Sequence, residues 1–228
     1  MGSGELTARD LAADFRRDRQ RLVEHLRAGG IRDLALLHAF ARVPRHAFVP
    51  EIMIHRAYDD VPLPIGAGQT ISSPTIHALS IAAAEVGAGQ RILEVGTGAG
   101  FQTALLAKLG AEVYSIERVQ SLHESAARTL SRLGVKARLM LGDGNLGWPG
   151  PAPFQAIIVC AATARPPTAL LEQLADGGHM IVPVGTRRQE LRRYTRRGDE
   201  FLRKKIARAR FVPLIDGNRP GRRRGRPA

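Results

Sequence analysis

From Arg91 onward the chain alternates short apolar strands with helices, and this alternation constrains the fold more than any other feature. "RILEVG" reads as a strand and "FQTALLAKLG" as a helix closing on glycine. "EVYSIE", "LHESAARTLSRLG" and "ARLMLGD" continue as strand, helix and strand. "FQAIIVCAA" is a strongly apolar strand, "PTALLEQLADGG" reads as a helix, and "HMIVPVG" as a further strand. Strands this apolar, separated by helices, are buried on both faces, which predicts an α/β chain with a doubly wound, mostly parallel sheet. The closing stretch "ELRRYTRRGDEFLRKKIARARFVPL" reads as two extended segments around Gly198-Asp199, an antiparallel pair at the sheet edge. There is no internal repeat.

Ahead of Arg91 the pattern is helical. "RRDRQRLVEHLRAGG" and "DLALLHAFARVP" space their apolar residues as helices do, the first stopping at glycines and the second at Pro44. "AYDDVPLPIGAGQTISSP" is too rich in proline and glycine for regular structure and is expected as loop or irregular extended chain, and "PTIHALSIAAAEVGAG" is expected as a helix. At 228 residues one core suffices. The expected organisation is a single domain over 1–217: a helical segment 1–50, a loop and helix 51–90, and a Rossmann-like core 91–217. A basic tail, 218–228, is expected to be disordered.

Some classes are excluded. No apolar run approaches the roughly 18 residues of a membrane span. The opening residues mix acids and bases without an apolar core, unlike a secretory signal. The single cysteine, Cys160, lies in the apolar run "AIIVC" and is expected as a buried, inert thiol of a reducing compartment. These features predict a cytoplasmic protein, taken as a monomer. The net charge of +13 is concentrated in the tail and in the last two extended segments. It could serve nucleic acid or steer acidic substrates, but a solvated surface accounts for it, and the few aromatics among the arginines argue against a nucleic-acid platform.

The candidate ligand site follows from the fold, because ligands of such sheets sit at the carboxyl ends of the strands, near the point where strand order reverses. The first core strand runs into Glu94-Val-Gly-Thr-Gly-Ala-Gly100, with glycines at 96, 98 and 100. This is not the dinucleotide pattern, and the bulky Phe101 where a third glycine would sit argues against a pyrophosphate. Glu117, at the end of the next strand, is placed to accept ribose hydroxyls. Asp143, within Gly142-Asp-Gly144, ends the third strand and is placed to meet an adenine edge. A ligand with a ribose and a base but no phosphate group is implied, and S-adenosylmethionine is such a ligand.

"AYDDVPLPIGAGQTISSP", "ILEVGTGAGFQTALLA", "GDGNLGWPGPAPFQAIIV", "VPVG" and the later "RFVPL" together resemble, in order and spacing, the protein-L-isoaspartate O-methyltransferases, from about Arg21 to Leu214. The resemblance implies a Rossmann-like methyltransferase fold. It also implies transfer of a methyl group from S-adenosylmethionine to the α-carboxylate of isoaspartyl residues, with D-aspartyl residues as a further target, in damaged proteins. The ester would then cyclise to a succinimide and begin repair. Carried over by position, it implies cofactor contacts at Glu94, Gly96, Thr97, Gly98, Gly100, Gln102, Glu117, Arg118, Asp143 and Gly144. It implies substrate contacts at Pro64, Ile65, Gly66, Thr70, Ile71 and Val212, an active-site serine at Ser72, and no metal. After the fourth core strand the family usually reads Ala-Ala-Pro or Ala-Ala-Ala-Pro, whereas this chain has Ala161-Ala-Thr-Ala-Arg165.

The adjoining serines then divide their work. Ser73 before Pro74 is a helix start, a serine cap with proline at the first helical position. Ser72 is thereby left to face the cleft, with Thr70 on the same side if the chain is extended there. His77 reads as packing rather than as a base. None is required, since a carboxylate with pKa near 4 is already ionised at neutral pH. Two rivals share this fold. A nucleic-acid methyltransferase would need an Asn/Asp-Pro-Pro-aromatic loop or a Pro-Cys nucleophile, which "VCAATARPP" lacks. A carboxyl methyltransferase dedicated to one peptide or small molecule is the alternative. A non-enzymatic binding module is disfavoured because the motif residues are present.

Overall fold

Burial sorts the core strands as the apolar runs require. The computed structural model describes residues 8–215, with side chains from Phe15 onward; the arginine-rich tail lies outside the described residues. Three strands form the middle of the sheet: β3 (Arg91–Val95), β4 (Glu112–Glu117) and β6 (Phe154–Val159). β5 (Arg138–Leu141) flanks β4, and β7 (Leu174–Val184) flanks β6. The hairpin of β8 (Gln189–Arg197) and β9 (Glu200–Ala209) completes the order β5-β4-β3-β6-β7-β8-β9. The first five are parallel, and β8 and β9 are the expected antiparallel pair at one edge.

Side chains alternate between two apolar layers, because successive residues of a strand point to opposite faces. Ile92, Ala156 and Ile158 join Leu26, Phe40, Phe101 and Leu105 in one layer. Leu93, Val95, Ile157 and Val159 join Phe154, Leu170 and Met180 in the other. The first layer includes side chains of α1 (Ala8–Ala28), α2 (Leu34–Arg42), α3 (Pro74–Ala83), α4 (Phe101–Lys108) and α5 (Gln120–Arg132). Helix starts follow capping chemistry. Asp33 caps α2 by accepting from the Leu36 amide at 3.1 Å, and Ser73 caps α3 ahead of Pro74, as expected.

Two expectations need correction. The proline- and glycine-rich loop holds a hairpin, β1 (Leu63–Gly66) with β2 (Gln69–Ile71). Its turn passes through Ala67 and Gly68 at φ 50° and 69°, a pair of positive angles suited to a two-residue hairpin turn. The sequence hid it because only one of those positions is glycine. The helix expected over "PTALLEQLADGG" is also shorter. α6 spans only Thr168–Glu172, and the chain re-enters the sheet at Leu174, opposite Phe154. Its glycines therefore lie inside β7, where the register with β6 shifts, instead of ending a helix.

The outer hairpin carries much of the chain's positive charge on solvent-facing positions. Glu190 takes both Arg192 and Lys205, at 2.9 and 2.8 Å, while Arg196 donates to the Leu174 carbonyl at 2.7 Å. The bulge in β7 yields a direct test of the packing. A Cβ at Gly178 would stand 2.8 Å from the Ala175 carbonyl oxygen and 3.0 Å from that of Gln155, both backbone atoms that cannot turn aside. Gly178→Ala is expected to destabilise the protein by about 1–3 kcal/mol in chemical denaturation.

Candidate active site

The strand order reverses between β3 and β6, and a cleft opens there, at the carboxyl ends of β3 and β4. It encloses about 870 Å³ including its open mouth, within the range of small-molecule sites. Its floor is the Gly-rich turn after β3. Gly96, Gly98 and Gly100 all have positive φ, at 96°, 55° and 92°. Such angles suit glycine, and the bare backbone can then come close to a ligand.

Glu117 defines the wall on the β4 side. It is only 6% exposed. One carboxylate oxygen accepts from the amides of Arg118 and Val119, at 2.8 Å each, and the other from the Gly98 amide, also at 2.8 Å. That second oxygen retains capacity for a ligand hydroxyl. With the Gly98 amide held by a carboxylate, the turn is unsuited to cradle a phosphate, in agreement with the sequence reading. Gly144 closes the far side because it packs on Val95. A Cβ on Gly144 would fall 2.3 Å from Val95 Cγ1.

Beneath the turn, Glu94 is fully buried and bonded only to protein. Gln102 donates to one oxygen at 3.1 Å, and Thr103 and Ser115 to the other at 2.5 and 2.6 Å. Burial pushes its carboxyl up to about 7, against the pull of those donors and with help from the Glu117 charge. Gln102 also meets His77 Nδ1 at 3.0 Å and donates to Cys160 Sγ at 3.1 Å. Burial and the nearby Arg45 cation push His77 down to about 3, so its imidazole is neutral. Burial and then Glu94 push the Cys160 thiol well up, so it stays protonated, although the residue borders the cleft and is only partly buried, not fully so as expected.

The opposite wall is the β1–β2 hairpin. Ile65, Thr70, Ile71 and Ser72 line the cleft, and Ser72, outside the α3 cap, makes no hydrogen bond through its hydroxyl to another described residue. Gln69 joins Thr70, Ile71 and Ser72 in the lining, so four consecutive residues of this wall border the cleft. A strap formed by Val212–Ile215 crosses the mouth. Ala162, in the loop that departs from the family pattern, donates to the Val212 carbonyl and accepts from the Leu214 amide, both at 2.7 Å. Arg118 Nη1 and Asn145 Nδ2 donate to the Ile215 carbonyl at 3.1 and 3.2 Å.

Of the residues expected here, Ile65, Thr70, Ile71, Ser72, Glu94, Gly96, Thr97, Gly98, Gln102, Glu117, Arg118, Gly144 and Val212 all line the cleft. Four do not. Gly100 faces α5, with Leu130 and Ala126 against it, because its task is to start α4. Pro64 and Gly66 lie in β1 away from the lining. Asp143 Oδ1 accepts from the Asn145 amide and side chain, at 3.0 Å each, in capping its own turn. Phe101, Val119, Leu122 and the strap residues Pro213–Ile215 were missed as lining. Only "RFVPL" hinted at the strap, since apolar contacts leave little mark on a sequence.

Comparison with known proteins is decisive. The family model for protein-L-isoaspartate(D-aspartate) O-methyltransferase matches residues 17–219. The chain belongs to that family. It transfers a methyl group from S-adenosylmethionine to isoaspartyl residues of proteins, the first step of their repair. The protein-L-isoaspartate O-methyltransferase of Methylorubrum populi is 51% identical over 202 residues, covering 87% of this chain and 95% of its own. Protein-L-isoaspartate O-methyltransferase 1 of Marinobacter nauticus is 47% identical over 203 residues, covering 89% and 93%. A solved protein-L-isoaspartate O-methyltransferase superposes with TM-score 0.81 at 27% identity, over 87% of this chain and 66% of that longer one. The Plasmodium falciparum enzyme, solved with S-adenosyl-L-homocysteine, gives 0.76 at 26% identity, over 86% and 98%. The fold is that of the S-adenosylmethionine-dependent methyltransferases. Among the described residues no helix is long and apolar enough to cross a membrane.

The buried Glu94 carboxyl makes stability pH-dependent in a stated direction. Its folded pKa of about 7 lies above the ordinary 4.5, so its contribution is fully present below pH 4.5 and is lost as pH rises through 7. Between those limits the loss amounts to about 3 kcal/mol. In paired thermal melts from pH 4.5 to 8, Glu94→Gln is expected to show a shallower decline than the wild type. Parallel curves would remove Glu94 as the source.

Proposed function

We propose that this chain performs methyl transfer in the cleft between the Gly-rich turn and the β1–β2 hairpin, with Ser72 orienting the substrate carboxylate. The single observation that carries this reading is the placement of the Ser72 hydroxyl. Ser72 lines the cleft together with Glu117 and the Gly-rich turn, and the α3 cap, made by Ser73, does not engage its hydroxyl. The backbone at Gly96 and Gly98, the Glu117 carboxylate and the apolar side of Val119 and Leu122 would hold S-adenosylmethionine. The cofactor supplies an activated methyl group on a sulfonium.

The chain's own residues then do little chemistry and much positioning. The incoming carboxylate is ionised at neutral pH and needs no base. His77 is neutral and tied to Gln102, and Cys160 is protonated, so neither takes a proton or attacks. Ser72 donates a hydrogen bond to one carboxylate oxygen and leaves the other aimed into the cleft. Ile65, Phe101 and the strap at Val212–Leu214 exclude water from the reacting groups. Glu94 acts beneath the surface, holding Gln102 and the turn in place. The same reading takes residues 1–217 as one catalytic unit, acting as a cytoplasmic monomer on isoaspartyl-containing proteins; gel filtration tests the last point.

The experiment compares methyl transfer from labelled S-adenosylmethionine to two peptides that differ only in an isoaspartyl or an aspartyl linkage. Label that is released as methanol in mild base, on the isoaspartyl peptide alone, is expected. Ser72→Ala is expected to lower kcat about ten- to a hundredfold, as loss of one charge-assisted hydrogen bond would. Calorimetry should show its affinity for S-adenosylmethionine nearly unchanged. A comparable loss of cofactor affinity would contradict the assignment.

A further inference from the structure

Arg45 stands out among the described residues. It lies in a single helical turn, Arg45–Phe48, and is 0% exposed. Its Nη2 donates to the carbonyl of Ser72 at 2.9 Å, and its guanidinium carbon lies 5.0 Å from the centre of the Phe101 ring. Its Nε and Nη1 are buried without a hydrogen-bond partner. Among the described residues no carboxylate lies within ion-pair distance of it. The acid whose charge it feels is Asp60, whose carboxylate is already held by the Thr75 amide and hydroxyl at 2.8 and 2.7 Å. Burial pushes Arg45 down to about 9, which still leaves it a cation at neutral pH.

A buried cation without an anion is costly, and packing alone would be better served by an apolar side chain. This one sits behind two residues that line the cleft, Ser72 and Phe101, and its hydrogen bond fixes the backbone of the first. The substrate reaches Ser72 as an anion and leaves as a neutral ester. A fixed positive charge behind that position favours the first over the second.

We propose that Arg45 is a positioning residue that acts through Ser72 and Phe101: it fixes the serine backbone and lends the substrate pocket a preference for a carboxylate over its neutral product. The proposal rests on the assignment of Ser72 to the substrate. It makes Arg45 a determinant of KM and of product release, not a participant in bond making.

The test uses the full chain, an isoaspartyl peptide, and the same peptide with its α-carboxylate converted to the carboxamide, a stable neutral isostere. The KM of the acid, the inhibition constant of the amide and the calorimetric affinity for S-adenosyl-L-homocysteine are measured for wild type, Arg45→Gln, Arg45→Lys and Ser72→Ala. Arg45→Gln is expected to raise the KM of the acid about tenfold, the scale of a charge interaction across a few ångströms of protein. Amide and S-adenosyl-L-homocysteine binding should stay within about twofold, and Arg45→Lys should keep the acid-over-amide preference. Equal weakening of acid and amide would reduce Arg45 to a structural role and overturn the proposal. If Arg45→Gln does not fold, Ser72→Ala decides. Persistence of a preference for the acid there supports a charge behind the serine, and its complete loss overturns the proposal. The Ser72 assignment fails separately, by an unchanged kcat in Ser72→Ala.

Discussion

A carboxylate sealed from water must find its donors within the protein, and where Glu94 finds them determines how the site is built. Gln102 and Thr103 reach it from α4 and Ser115 from β4, so one side chain joins β3 to its neighbours on two sides. Gln102 carries the connection onward to His77 on α3 and to Cys160 after β6. Thr97 within the Gly-rich turn bonds Ser115 at 2.6 Å, which ties the turn into the same network. Each of these bonds is strengthened by the low dielectric that makes an unpaired Glu94 so expensive. The turn is thus held from below, which leaves its upper surface of bare backbone open to a ligand.

The two walls of the cleft differ in kind. The wall on the β4 side is made of strand ends and the carboxylate of Glu117, whose oxygens bond the consecutive loop amides of Arg118 and Val119 and the Gly98 amide of the turn. The opposite wall, proposed above to meet the substrate, is assembled from separate pieces: the β1–β2 hairpin, the Val212–Ile215 strap and the Ala161–Arg165 loop. Ala162 pairs with the strap and Thr163 with Pro183 and Gly185, so the loop whose sequence departs from the family pattern still links the strap to β7 by backbone bonds alone. Backbone bonds are indifferent to side-chain identity, which explains how that loop can vary without releasing the strap.

The division is physically sensible for methyl transfer between a cation and an anion. Neither partner needs proton chemistry, so the protein can keep its titratable groups in inert states: a neutral His77, a protonated Cys160 and a Glu94 bonded only to protein. What remains is alignment and dryness, which in the proposed reading Phe101, Ile65 and the strap supply by shape.

Strand–helix alternation, the glycines at 96, 98 and 100, the acids at strand ends and the Ser73-Pro74 cap were all legible along the chain, because each is set by local periodicity or by backbone chemistry. The fold class and the antiparallel edge hairpin follow from them, whereas Ile65, Thr70, Ile71, Thr97, Gln102, Arg118 and Val212 were placed at the cleft by the family resemblance. Tertiary structure alone decided the rest. Glycines in "ADGG" read as a helix end, yet pairing with Phe154 drew the chain into the sheet and made them a bulge. Gly100 belonged to a ligand motif but is needed at the start of α4, and Asp143 caps its own turn. Arg45, in "VPRHAF", looked like one basic residue among 34. Its burial behind Ser72, 27 positions away, is a contact between distant segments, and no local pattern encodes it. Local signals specify which elements form; which side chains meet depends on how those elements close over one another.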